Sequence, residues 1–280
     1  MTVKALKKQL VAAIAMVIVS AIALSSSTYA WFASNNRVTA TGMVVQATAE
    51  GGIEIAYVAD SAPGAYATSA SAGMSNAQVL YPTSTTATAG SDLITSDWYH
   101  ASAAITSSSV ARSGSYTVLS LNDDGMESGT NHYYFVRKKF NVRSVSAVKT
   151  ATDLKVSKVE VTGNAQALSK ALRVAIVNGD TKVIYAPVGY TKAASETGFS
   201  YNVATAVNGA GEATMGNDNV TVLYATEASA VIAAAVPATT GEDLNIYVWF
   251  EGEDTNHKSE NLADTLDSLS LTVHFEANID

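Results

Sequence analysis

Residues 244–251, Leu244-Asn245-Ile246-Tyr247-Val248-Trp249-Phe250-Glu251, and residues 268–275, Ser268-Leu269-Ser270-Leu271-Thr272-Val273-His274-Phe275, carry the plainest pattern in the chain. In the first, Leu244, Ile246, Val248 and Phe250 alternate with Asn245, Tyr247, Trp249 and Glu251. In the second, Leu269, Leu271, Val273 and Phe275 alternate with Ser268, Ser270, Thr272 and His274. A period of two is the mark of an extended strand, whose successive side chains point to opposite faces. Each segment has one apolar face and one mixed face, as a half-buried antiparallel strand requires.

The same alternation runs back through the chain. Ile53-Glu54-Ile55-Ala56-Tyr57-Val58 follows the turn signal Gly51-Gly52. Ser115–Leu121 and His132–Val142 read as strands, the second introduced by Asn122-Asp123-Asp124-Gly125. Leu154 and Val156 lie on one parity and Val159 and Val161 on the other, which predicts a β-bulge between Ser157 and Lys158. Leu172, Val174 and Ile176 begin a strand closed by Asn178-Gly179-Asp180, and Lys182–Ala186 pairs back as a hairpin. A helical turn is expected over Asn164–Lys170, and strands over Val220–Ala225 and Ala230–Val236. Roughly ten short strands separated by turns predict an all-β fold, a jelly-roll-like antiparallel β-sandwich.

Residues 59–112 break the pattern. They are rich in Ala, Ser, Thr and Gly, with almost no charge, and their strong anchors are Leu80-Tyr81-Pro82-Thr83-Ser84 and Asp97-Trp98-Tyr99-His100. This stretch is expected to be a long insertion of loops and short strands packed on the sandwich at those aromatics. Full disorder is the alternative.

Composition narrows function. The 280 residues carry 17 Lys and Arg against 25 Asp and Glu, a net charge of −8. Such a surface repels phosphate backbones, so nucleic acid is not an expected partner. The absence of cysteine excludes a disulfide framework, thiolate metal sites and a Cys nucleophile. His100, His132, His257 and His274 have no H-E-x-x-H spacing, and no G-x-S-x-G elbow, phosphate-binding loop or dinucleotide fingerprint is present. The acidic loops Glu251-Gly252-Glu253-Asp254 and Asp123-Asp124-Gly125-Met126-Glu127 offer oxygen ligands that would suit calcium. Neither has the EF-hand spacing, and a solvated acidic turn is the favoured reading. No cofactor, catalytic residue or other metal site is expected, and the chain does not read as an enzyme. Arg137-Lys138-Lys139 reads as an edge strand that uses charge to block pairing.

The N-terminus reads as an export signal. Lys4, Lys7 and Lys8 form a basic start, Leu10–Leu24 is an apolar run with Ser20 as its one polar residue, and Ser25-Ser26-Ser27-Thr28-Tyr29-Ala30 supplies small residues for a peptidase. As a helix the run would be roughly 22 Å long, short of a bilayer core of about 30 Å. Residues 1–30 are therefore expected to be a signal peptide cut between Ala30 and Trp31, with a retained anchor as the alternative. Loss of Lys4, Lys7 and Lys8 leaves 14 basic against 25 acidic residues, a net −11. The expected organisation is a signal segment at 1–30, an N-terminal extended segment at 31–50, and a β-sandwich domain at 51–280 carrying the insertion at 59–112. Membrane contact is expected only through the signal segment.

Ser27-Thr28-Tyr29-Ala30-Trp31-Phe32, directly behind the apolar run, resembles the processing site of the TasA/camelysin family of exported Gram-positive proteins, cut by a SipW-type signal peptidase. Ser27 stands where that family usually has glycine, and Ala33-Ser34-Asn35-Asn36 lacks its usual acidic residue. The segment Ile246–Asp254 is similar to one in clostridial surface proteins with this kind of leader. The resemblance implies a jelly-roll subunit of extracellular biofilm fibres, secreted to the cell surface, with itself as partner. It further implies that the freed N-terminal segment adds as a strand to the next subunit. The candidate donor residues are Trp31, Phe32, Val38, Ala40, Met43, Val44 and Val45. Val38–Ala49 would span about 40 Å as a strand, and head-to-tail addition does not close on itself. The same residues also suit the first strand of their own sandwich, so pairing within the chain and between chains both stay open. Two other functions compete: a monomeric adhesin or glycan-binding sandwich using Trp98, Tyr99 and Tyr81 as exposed stacking residues, and a pilin-like subunit that keeps its apolar helix.

Overall fold

The computed structural model describes residues 16–17, 38–39, 44–59, 61–73, 79–81, 83–85, 98–101, 116–130, 132–162, 172–179, 181–185, 203–204, 220–223, 231–251 and 270–279. The chain divides into two units, Met1–Asn36 and Arg37–Asp280. Of the first, Met16 and Val17 are described, and both are helical. The expected signal segment otherwise lies outside the described residues, as does the expected helical turn at 164–170. Among the described residues no helix is long and apolar enough to cross a membrane.

The second unit is a β-sandwich. Its first sheet has six strands: β2 (Val44–Glu50), β4 (Ser69–Gly73), β10 (Ala151–Thr162), β14 (Val220–Leu223), β15 (Val231–Val236) and β17 (Ser270–Asn278). The order is β14-β10-β17-β2-β4, with β15 also paired to β10. β15 takes the Ala151–Lys155 half of β10 and β14 the Val159–Thr162 half. The second sheet also has six strands: β3 (Ile53–Val58), β9 (Val136–Ser144), β11 (Leu172–Asn178), β12 (Thr181–Tyr185), β13 (Val203–Ala204) and β16 (Glu242–Phe250). Its order is β13-β12-β11-β16-β9-β3. Three short strands, β6 (Ser84–Thr85), β7 (Trp98–Ala101) and β8 (Tyr116–Val118), form a small sheet, and β1 (Val38–Thr39) pairs with β5 (Val79–Leu80).

Alternation explains why the two large sheets face each other. Val45, Ala47 and Ala49 of β2, Leu154, Val156 and Val159 of β10, and Leu271, Val273 and Phe275 of β17 point inward from the first sheet. Ile53 and Ile55, Phe140 and Val142, Leu172 to Ile176 at alternate positions, and Leu244 to Phe250 at alternate positions meet them from the second. These side chains form one continuous buried cluster, the core of a sandwich. The expected bulge is present: Val156 lies opposite Phe275 and Lys158 opposite His274, so Ser157 is the extra residue. It lets Val156 and Val159 share the inner face despite their opposite parity. The expected hairpin is present as β11 and β12, with Asn178 opposite Thr181 and Gly179 in the turn.

Four expectations need correction. The sandwich is mostly antiparallel, but β17 runs parallel to β2 and β12 parallel to β13. β16 is not half-buried, because Tyr247 and Trp249 on its outer face join Trp98, Phe135, Ala175, Val177 and Ile184 in a second buried cluster. Trp98 from the small sheet meets Trp249 edge to face at 5.4 Å and Phe135 at 4.7 Å, so a third layer covers this side. β9 is an interior strand, between β16 and β3, and not an edge; its basic run is met by acids, Arg137 by Asp123 at 3.8 Å and Lys139 by Asp243 at 2.7 Å. Residues 59–112 do more than decorate: β4 closes one edge of the first sheet, and Ala67 bridges to Ile55 of the second.

Tyr185 sits fully buried in the inner core, and its hydroxyl has no hydrogen-bond partner among the described residues. Burial pushes its ionisation far above the usual tyrosine range, so the group stays neutral. An unpaired buried hydroxyl loses its water without compensation. Tyr185→Phe is therefore expected to raise stability by about 1 kcal/mol, read as a shift in urea midpoint at constant slope.

Candidate functional site

The expected cleavage and donor residues fall in different places. Ala30, Trp31, Phe32, Ala40 and Met43 lie outside the described residues, and Val38 is in β1, opposite Leu80 of β5. Val44 and Val45 open β2. That strand occupies an interior slot in its own sheet. On one side Val44–Glu50 runs parallel to Ser270–Glu276 of β17, and on the other Val44–Thr48 runs antiparallel to Gly73–Ser69 of β4. Val45, Ala47 and Ala49 fill core positions, while Val44, Gln46 and Thr48 lie half-buried on the outer face. Burying Val45 contributes about 1.5–3 kcal/mol and each alanine less, so the slot is held as much by its two hydrogen-bond ladders as by side chains.

The strand leaves this slot abruptly. Gly51-Gly52 carries the chain from β2 in one sheet to β3 in the other in two residues, at φ of +70° and +84°. A Cβ on Gly51 would stand 2.3 Å from the Ala277 carbonyl oxygen, so no other residue fits there. Side chains on the outer face cross the slot. Thr48 Oγ1 lies 2.9 Å from His274 Nδ1, and His274 Nε2 lies 3.3 Å from Glu160 Oε2. Glu160 also pairs with Lys158. Three strands, β2, β17 and β10, are thereby tied through one imidazole. Burial, with the Lys158 ammonium in support, holds the His274 ring below the usual histidine range, and Glu50 opposes this.

A second feature is a polar cleft of about 430 Å³ on the second sheet, lined by Val58, Pro63, Lys139, Asn141, Thr240 and Asp243 among others. Its polar groups satisfy one another. Asn141 accepts from Tyr66 Oη at 2.7 Å and donates to Asp243 Oδ1 at 2.8 Å and to the Thr240 carbonyl at 3.3 Å. Arg143 binds Glu54 at 2.6 Å and lies 3.7 Å over the Tyr66 ring. For Asp243, burial works upward, but hydrogen bonds from Lys139 and Asn141 outweigh it and hold the carboxyl below its usual range. The network reads as a brace between β9 and the β15–β16 turn.

Among the described residues the acidic loops do not converge on an ion position. Asn122 Oδ1 accepts from the Asp124 and Met126 amides and shapes the turn, Asp123 turns to Arg137, and Glu127 turns to His132 at 3.5 Å and the Tyr134 hydroxyl at 3.3 Å. Glu251 is buried and accepts from Trp249 Nε1 at 3.3 Å, while 252–254 lie outside the described residues. Among the described residues no group of three His, Asp or Glu side chains is placed to hold a metal. Of the expected stacking residues, Trp98 is buried and unavailable to a sugar, and Tyr81 is half-buried against His132 at 4.4 Å. The sequence had no signal for the Thr48–His274 contact, whose partners are 226 residues apart.

No protein-family model, curated protein or solved structure matches this chain.

Because the Asp243 carboxyl is lowered in the folded state, its contribution is present above the usual carboxylate range and lost as pH falls through the lowered value. The melting-temperature gap between the native chain and Asp243→Asn is expected to be constant near neutrality and to narrow below about pH 4, followed by circular dichroism. A gap that is unchanged or widens there would show that the brace does not depend on the ionised carboxyl.

Proposed function

We propose that this chain is a secreted structural subunit of an extracellular fibre or biofilm matrix, a jelly-roll-type sandwich of the TasA/camelysin kind that assembles head to tail with other copies by donating its N-terminal strand. The leader supports export: a basic start, an apolar run too short to span comfortably, and Ser27-Thr28-Tyr29-Ala30 ahead of Trp31. A signal peptidase is then a transient partner and the cell surface the destination. The acidic balance suits a protein that is soluble before assembly.

One observation carries the assembly step. β2 lies near the start of the chain and fills an interior slot through contacts that any second copy would reproduce: the same ladders to β17 and β4, and the same Val45, Ala47 and Ala49 positions in the core. Exchange of an identical element keeps the native contacts and makes dimers or open chains at low cost. A hinge is needed between the exchanged strand and the body, and Gly51-Gly52 sits at that junction. Such a strand adds mainly through main-chain hydrogen bonds, with alternate side chains setting register. The reading assigns the chain no catalytic residue and no cofactor.

Two measurements test it together. Mass spectrometry of the exported protein is expected to find Trp31 as the first residue. Negative-stain microscopy of that product is expected to show filaments, and a variant lacking residues 31–49, and with them most of β2, is expected not to assemble. A product that retains residues 1–30, or one that stays monomeric across salt and pH, contradicts the proposal.

A further inference from the structure

The outer face of the first sheet presents an ordered row across the N-terminal strand. By register, Lys158 of β10, His274 of β17, Thr48 of β2 and Ser69 of β4 lie side by side. Glu160 stands two residues along β10 and reaches back to the same imidazole. His274 is thus the side chain through which the interior strand β17 grips β2 on this face.

The charges fix how the ring is protonated. Nε2 faces the Glu160 carboxylate, so a proton there donates a hydrogen bond, whereas a bare lone pair would be repelled. Nδ1 then accepts from the Thr48 hydroxyl. A second proton on the ring removes that acceptor, and the Thr48 hydroxyl must turn away or serve as acceptor itself. The new positive charge lies beside the Lys158 ammonium, while Glu160 is already engaged by Lys158. Glu50 of β2 and Glu276 of β17 face each other two pairs further on, on the same face, and Lys155 of β10 lies opposite Glu276. Glu50 attracts the imidazolium but does not reverse the balance, since burial and Lys158 together keep the ring below the usual histidine range.

We propose that the Thr48–His274–Glu160 chain of hydrogen bonds is an acid-sensitive latch on the N-terminal strand, so that protonation of His274 loosens β2 from β17 and frees it for exchange with a second copy of this chain. The exchange step rests on the assembly reading above; the loosening itself is a property of the single chain. The sign follows from linkage. With β2 docked the ring binds its proton more weakly than when β2 is released and the ring meets water, at an ordinary value of about 6.5. The released state therefore holds more protons as pH falls, and docking weakens from about pH 6.5 down through the lowered value.

Amide hydrogen exchange on the full chain, read by mass spectrometry at about pH 7.5 and about pH 5.5 and corrected for intrinsic rates, tests the latch within the histidine range. Peptides covering Val45–Ala49 are expected to lose protection several-fold at the lower pH, while those of β11 and β16 keep theirs. His274→Gln is expected to abolish the difference, and Thr48→Val, which leaves the imidazole in place, to lower β2 protection already at the higher pH. Unchanged protection of β2 in the native chain, or a pH response that survives His274→Gln, overturns the latch. The readout does not require fibres: filaments from a chain whose β2 exchange is flat in pH would overturn the latch alone, and a working latch in a chain that never assembles would count against the assembly reading alone.

Discussion

Seven residues, Val44–Glu50, hold the first sheet together by pairing on both edges at once. Removing them would separate β17 from β4 and leave two rows of main-chain donors and acceptors without partners. Unpaired backbone groups at a sheet edge are the general template for association with another chain. The strand adds little apolar bulk, with one valine and two alanines facing inward. Its hold rests as much on hydrogen bonds as on side chains, and a copy of the same strand can supply both equally well. That combination, an interior position with generic contacts, connects the fold to the function proposed for it.

The other side of the molecule is built on the opposite principle. The second sheet is covered on its outer face where β11 and β16 carry Ala175, Val177, Tyr247 and Trp249, and that layer is specific and aromatic: Trp98 against Trp249, Phe135 against Tyr247 at 5.4 Å, with Arg173 and Glu251 buried on the same face. Of the two buried charged groups, Arg173 donates from Nη1 to the Leu172 carbonyl and Glu251 accepts from Trp249 Nε1. Large aromatic surfaces in defined geometry specify one packing and resist exchange. The sandwich thus has one sheet whose outer layer is fixed by aromatic packing and one whose N-terminal strand is held as much by backbone as by side chains.

Local features were legible in the sequence where a local rule decides them. The parity change between Val156 and Val159 placed the bulge, and Asn178-Gly179 placed the hairpin turn. The alternation of β16 and β17 identified their core faces, because Leu244–Phe250 and Leu271–Phe275 each show it without interruption. What escaped was long-range. Alternation shows that a strand has two faces but not which strand lies beside it, so the parallel pairing of β2 with β17 had no sequence signal. The second face of β16 looked merely mixed because tyrosine and tryptophan suit either water's edge or a buried layer. Arg137-Lys138-Lys139 suggested an edge because charge on a strand often blocks pairing, yet Asp123 from the preceding turn and Asp243 from the distant strand β16 bring their carboxylates to it. His274 lies on the mixed face of its strand with no spacing motif to mark it; its partners Thr48 and Glu160 come from strands far away in the sequence.

The claim that β2 fills a slot equally open to its own chain and to a neighbour is tested most directly by cross-linking, which the absence of native cysteine makes clean. Gln46 of β2 and Ser71 of β4 lie directly opposite each other on the outer face, close enough for a disulfide when both are replaced by cysteine. The decisive sample is an equal mixture of two single variants, Gln46→Cys and Ser71→Cys, allowed to assemble and then oxidised. The account predicts a covalent heterodimer on a non-reducing gel, since only a strand lent between chains brings the two thiols together. If the double variant closes its bridge within single chains while the mixture yields no heterodimer in assembled material, β2 stays at home and the account is wrong.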